Sequence, residues 1–63
     1  MRSNIKELAE AKYPTLAAFC KAADITPEAV YKWERRGLAN ARLCTMLRVA
    51  KALDCDIHDL YEA

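Results

Sequence analysis

The residues with the longest chemical reach in this chain lie between positions 31 and 51. There Lys32, Arg35, Arg36, Arg42, Arg48 and Lys51 stand against Glu34 alone, a net charge of +5. Cationic side chains at that density neutralise phosphate oxygens and hydrogen-bond to them, so a face carrying them would bind a polyanion; solvated helix faces also collect Lys and Arg with no ligand at all. The flanks do not share this charge. Residues 1–30 balance Arg2, Lys6, Lys12 and Lys21 with Glu7, Glu10, Asp24 and Glu28, and residues 52–63 carry Asp54, Asp56, Asp59 and Glu62 with no Lys or Arg, a net −4 that phosphate would repel. The whole chain carries only +1, so the signal is the asymmetry and not the total.

Other chemistries find less support. His58 is the one histidine, with no Cys or second His at ligand spacing, which reads as a surface side chain and not as a metal ligand. Cys20, Cys44 and Cys55 form no Cys-x-x-Cys pair and cannot all pair with one another, so buried free thiols in a reducing cytosol are expected. No glycine-rich phosphate loop is present, and the acids are scattered like helix caps and solvated faces, not as a convergent catalytic pair. The expectation is a protein that is not an enzyme, with no metal, no cofactor and no small-molecule ligand.

Sixty-three residues support one small core, hence one domain over 1–63. A 54% hydrophobic, 30% charged composition is that of a folding chain, and one Gly and two Pro leave few places for tight reversals, which predicts an all-α fold. No apolar run approaches the roughly 20 residues that cross a bilayer, and Met1-Arg2-Ser3-Asn4 leads straight into a charged helix, so a soluble, cytoplasmic protein without membrane contact is expected.

Start and stop signals predict five helices. Asn4 with Glu7 three residues on reads as a capping box, opening a first helix that runs to Lys12 before Tyr13-Pro14. Thr15 caps a second helix, to Ala23, with Leu16, Phe19, Cys20 and Ala23 on one stripe. Thr26-Pro27-Glu28 opens a third with a capping hydroxyl, a first-position proline and an acid at the positive helix end, and Gly37 stops it after Arg36. Asn40 caps a fourth, to Asp54, whose Leu43, Leu47, Ala50 and Leu53 share a face that is expected to be core, with Met46 beside them. Asp56 caps a last short helix, Ile57 to Glu62, offering Ile57, Leu60 and Tyr61 to the core or to a partner.

Ala23-Asp24-Ile25 leaves about three residues between the second helix and the cap of the third, which is helix-turn-helix spacing. Val30 and Trp33, three apart, would face inward, leaving Glu28, Lys32, Arg35 and Arg36 outside. With these features together, the chain resembles the Cro/repressor-type (XRE-like) helix-turn-helix family over nearly its whole length. The residues carrying the likeness are Asn4-Ile5-Lys6-Glu7-Leu8, Thr15-Leu16-Ala17-Ala18-Phe19-Cys20, the run Ile25 to Gly37, and Leu47 to Leu53 followed by Ile57-His58-Asp59-Leu60.

The resemblance implies a compact five-helix, lambda-repressor-like domain that binds double-stranded DNA and regulates transcription, as a repressor of phage or mobile-element type. It makes the third helix the recognition helix, with Pro27, Glu28 and Lys32 reading base edges in the major groove. Thr26, Tyr31, Arg35 and Arg36 would flank them, and Asn40, Arg42 and the helix start at Thr15 would meet phosphates. Three positions depart from the family: Leu16 where many relatives carry a polar phosphate-clamping residue, Asp24 where glycine is frequent, and Ala9 where many place an arginine facing the glutamate that corresponds to Glu34. A homodimer on DNA is expected, with Ile57, Leu60 and Tyr61 as candidates for its interface. The competing class is a protein-interaction module, such as an antitoxin masking a toxin; an exposed apolar patch at the tail would favour it, and a basic face with Lys32, Arg35, Arg36 and Arg42 would favour DNA.

Overall fold

The computed structural model describes residues 1–62; Ala63, the last residue of the expected 1–63 domain, lies outside them. The chain forms β1 (Arg2–Ser3), α1 (Ile5–Lys12), α2 (Leu16–Ala23), α3 (Pro27–Arg36), α4 (Leu43–Leu53), one 3-10 turn (Ile57–Leu60) and β2 (Tyr61–Glu62). The helix-turn-helix is formed by α2 and α3 as the spacing predicts, but the described residues hold four α-helices and not five. The tail leaves the helical conformation after Leu60 because Tyr61 and Glu62 pair antiparallel with Ser3 and Arg2, a ladder between the two ends of the described chain. The fold is mostly helical, and the expected all-α helix-turn-helix class fits it.

The helix-turn-helix is punctuated by its own side chains. Thr15 Oγ1 accepts from the Ala18 amide at 3.1 Å, and Thr26 Oγ1 from the Ala29 amide at 3.3 Å, so each hydroxyl satisfies a donor that the helix start would leave open. Pro27 occupies the first turn of α3, where its missing N–H costs nothing. Between them Asp24 takes the left-handed conformation, φ 58° and ψ 50°, which the reading of its position as a glycine substitute requires.

Two other caps differ from expectation. Asn4 makes no cap to α1: Glu7 is drawn instead to the Arg2 guanidinium at 3.2 Å, while Ser3 Oγ accepts from the Ile5 amide. Asn40 does not cap α4 either, since the helix begins at Leu43 after an extended Arg42, and Asn40 sits in the preceding turn. Asp56 does cap the last turn, reciprocally with Asp59.

Phe19, Ile5, Leu60, Val30 and Val49 are fully shielded and close the core from all sides, with Trp33 and Leu53 also buried. Each such side chain removed from water contributes about 1.5–3 kcal/mol, which a chain this small needs in full. On α4 the buried face is Met46, Val49, Ala50 and Leu53; Leu43 and Leu47, expected in the core, are 66% and 54% exposed. Apolar residues surround so much of this helix that two helical stripes fit the sequence, and the helix turned the neighbouring one inward.

The N-terminal segment straps the end of α3. The Leu38 amide donates to the Met1 carbonyl at 3.0 Å, and the Asn4 amide donates to the Leu60 carbonyl at 2.8 Å. Gly37, at φ 78°, lies directly against that Met1 carbonyl, and a Cβ there would collide with its oxygen. Only glycine satisfies both demands without strain.

Candidate nucleic-acid interface

Helix α3 is anchored on one side and free on the other. Val30 is fully buried and Trp33 nearly so, whereas Thr26, Pro27, Glu28, Tyr31, Lys32, Arg35 and Arg36 are exposed. Glu28, Lys32 and Arg35 fall at i, i+4 and i+7, with Tyr31 beside them, so four long side chains share the outer strip. The exposed N-terminal turn, capped by Thr26, presents Pro27 and Glu28 at its rim.

The cations here are unengaged. Among the described residues the ion pairs are Arg2 with Glu7, Arg2 with Glu62, and Lys6 with Glu10, none of which uses a cation between positions 31 and 51. Glu34 likewise forms no ion pair among the described residues, consistent with alanine standing at position 9. Lys32, Arg35, Arg36 and Arg42 therefore present their charge to solvent, where only a ligand or counterions can neutralise it.

Several sequence-predicted residues come together. Lys32, Arg36 and Asn40 line one polar depression of about 120 Å³, floored by Trp33 and Gly37, beside the outer strip of α3. Arg42 is exposed at the start of α4, and Thr15 is exposed at the start of α2, whose first turn carries no acidic residue. Leu16, the departure in that turn, is half-buried and packs against the core.

Arg48 was counted with the basic segment but has a different occupation. Its guanidinium donates to the Ala23 carbonyl at 3.3 Å and to the Asp24 carbonyl at 3.4 Å, closing the C-terminus of α2 where the chain turns toward α3. No local signal marks it, because its partners are 24 and 25 residues away.

The dimer candidates separate. Leu60 is fully buried in the chain's own core and offers no surface, while Ile57 and Tyr61 are half-buried. Tyr61 Oη also lies 2.9 Å from His58 Nδ1, so the histidine has a phenol as neighbour. Of the thiols, Cys20 is buried, Cys55 half-buried and Cys44 exposed. Burial pushes the Cys20 thiol above its ordinary value, with Glu28 adding to the effect; burial, then Asp59, Asp56 and Asp54, do the same for Cys55 against a smaller opposing pull from Lys12. Among the described residues no three His, Cys, Asp or Glu side chains are grouped to hold a metal ion, and no helix is long and apolar enough to cross a membrane.

A family model for the Cro/C1-type HTH DNA-binding domain matches residues 4–63. No curated protein and no solved structure was found to match the chain.

Proposed function

The chain belongs to the Cro/C1-type helix-turn-helix DNA-binding family, and on that premise we propose that it is a sequence-specific regulator of transcription that represses by occupying an operator. The observation carrying this reading is the outer face of α3: a rigidly anchored helix whose long polar side chains and unengaged cations all point away from the core. In the major groove, Lys32 would donate to guanine O6 or N7 and Glu28 would accept from a cytosine amino group, while Pro27 supplies shape and apolar contact. The depression lined by Lys32, Arg36 and Asn40 is suited to a backbone phosphate next to the groove, and Arg42, Thr15, Thr26, Tyr31 and Arg35 are the other candidates for contacts flanking the base-reading residues.

One such domain covers one half-site, so useful specificity calls for two copies on half-sites about one helical turn apart. Selection from a random duplex pool at low salt tests the reading. A two-fold-related motif with that spacing is the expected result. Retention without enrichment, vanishing in moderate salt, would reduce the basic face to nonspecific binding.

The alternative, a protein-interaction module such as the antitoxin of a toxin-antitoxin pair, draws on one observation: the exposed Leu43 and Leu47 beside an apolar groove. It takes precedence if the pool selection yields no motif.

A further inference from the structure

Two of the three tyrosines are held by the fold. Tyr13 Oη donates to the Ala52 carbonyl at 2.6 Å, and Tyr61 Oη lies 2.9 Å from His58 Nδ1. Tyr31 has no hydrogen-bond partner among the described residues and is 46% exposed, on the outer face of α3. Nothing in the chain fixes its hydroxyl, and nearly half of the residue stands in water.

Helical geometry divides that face into two margins. At about 100° per residue, with Val30 and Trp33 turned inward, Glu28 and Arg35 occupy the centre of the outer face. Lys32 and Arg36 fall on one side of that centre, and Pro27 and Tyr31, at i and i+4, on the other. The Lys32 side is basic and opens onto the depression that Arg36 and Asn40 share with it. The Tyr31 side carries no cation nearer than the central Arg35, and its next member is the acid Glu34, so it offers phosphate little and repels it at the edge. What it does offer is apolar surface, since Pro27 and Tyr31 are the exposed apolar residues of α3.

The base edges of the major groove present one apolar feature, the methyl group on C5 of a pyrimidine. We propose that Tyr31, with Pro27, forms an apolar wall that reads a pyrimidine 5-methyl group, so that Tyr31 determines sequence specificity and is not a phosphate contact. This deepens the operator-binding reading and rests on it. Two bases carry the group: thymine, and cytosine methylated at C5. Glu28, three residues before Tyr31 and so beside it on the helix, sorts them by position. Its carboxylate accepts from the amino group of a methylated cytosine and repels O4 of thymine, so a thymine is read at the neighbouring base pair. Covering one methyl group is worth about fourfold in affinity.

The test uses the full chain and three duplex pools that differ only in C5 methylation: one with thymine, one with uracil in its place, and one with 5-methylcytosine in place of cytosine. Wild type, Tyr31→Phe and Tyr31→Ala are each put through selection, and the selected duplex is then titrated with one base exchanged at a time. Wild type is expected to lose about fourfold at one position per half-site when thymine becomes uracil, or to gain about fourfold at one when cytosine becomes 5-methylcytosine. The first result assigns thymine as the source of the methyl group, the second methylated cytosine. Tyr31→Phe keeps the ring and should keep this discrimination. Tyr31→Ala should abolish it and still melt cooperatively, because the position is exposed and alanine is the best helix former. A uniform loss in Tyr31→Phe on every sequence, with no position sensitive to the methyl group, makes Tyr31 a phosphate donor and overturns the proposal. A methyl effect that persists undiminished in Tyr31→Ala overturns it as well. A motif that all three pools yield with equal affinity overturns it and leaves the operator reading standing, whereas the absence of a motif from every pool removes both.

Discussion

The guanidinium of Arg48 on α4 reaches the carbonyl oxygen of Asp24 at 3.4 Å, the residue at which the chain turns left-handed between the two DNA-binding helices. With the second bond to Ala23, this ties the angle between α2 and α3 to a third helix. Arg48→Ala should cost about 1 kcal/mol of stability, at the low end for charged hydrogen bonds because the site is partly exposed. The same variant should weaken operator binding without flattening its salt dependence, since the side chain acts through the turn and not on phosphate. Urea denaturation and a salt series on the selected duplex measure the two effects; a reduced salt slope would reassign Arg48 to the phosphate contacts.

Asp24 itself holds φ 58° without the freedom of glycine, and Asp54 holds φ 53° at the end of α4. Asp24→Gly should raise stability by about 0.5–1 kcal/mol, the relief of left-handed strain less the entropy glycine brings to the unfolded chain. Asp54→Gly should behave alike. Thermal melts read this directly, with about 1 kcal/mol corresponding to 4–8 °C in a domain this small.

Gly37 predicts the opposite sign. Gly37→Ala would place a methyl group against the Met1 carbonyl at a positive φ, so the strap must lift or α3 must shift. A loss of about 1–3 kcal/mol is expected. Faster hydrogen exchange at the Leu38 amide, which donates to Met1, would locate the damage.

Lys32 and Arg42 separate reading from holding. Lys32→Ala should cost about 1–3 kcal/mol on the selected duplex and relax preference at one base pair, whereas Arg42→Ala should weaken all sequences alike and lower the salt slope by about 1. Equal losses on selected and random DNA for both variants would refute the division of roles.

The three thiols should differ in reactivity. Cys44 is exposed, whereas burial holds the thiols of Cys20 and Cys55 protonated above their ordinary range. Mass spectrometry after brief alkylation should find Cys44 modified first. At alkaline pH the unfolded chain loses these two protons before the folded chain does. Their contribution to stability is thus complete below the ordinary thiol range and disappears as pH rises through the raised folded values.

Elements with local causes were readable in the sequence. Thr15, Thr26-Pro27 and Gly37 act on residues within four positions, and the helix-turn-helix built from them stands where the spacing placed it. Two of the failures have distant causes. Nothing near Tyr61 announces that it will pair with Ser3, and nothing near Asn4 announces that its Nδ2 will reach the Asp59 carbonyl. Leu43 and Leu47 were misplaced for another reason. Helical periodicity fixes which residues share a face, not which of two adjacent apolar faces turns inward, and on α4 that choice was made by packing against α2.

The ladder between Arg2–Ser3 and Tyr61–Glu62 also bears on the order in which this fold assembles. Its partners are about sixty positions apart, so pairing them costs loop-closure entropy that no single helix has to meet. The bond from the Asn4 amide to the Leu60 carbonyl spans a similar distance, beside a Leu60 side chain that is fully enclosed in the core. Contacts of such high sequence separation slow folding, so the helices are expected to form early and the ladder to close over them late.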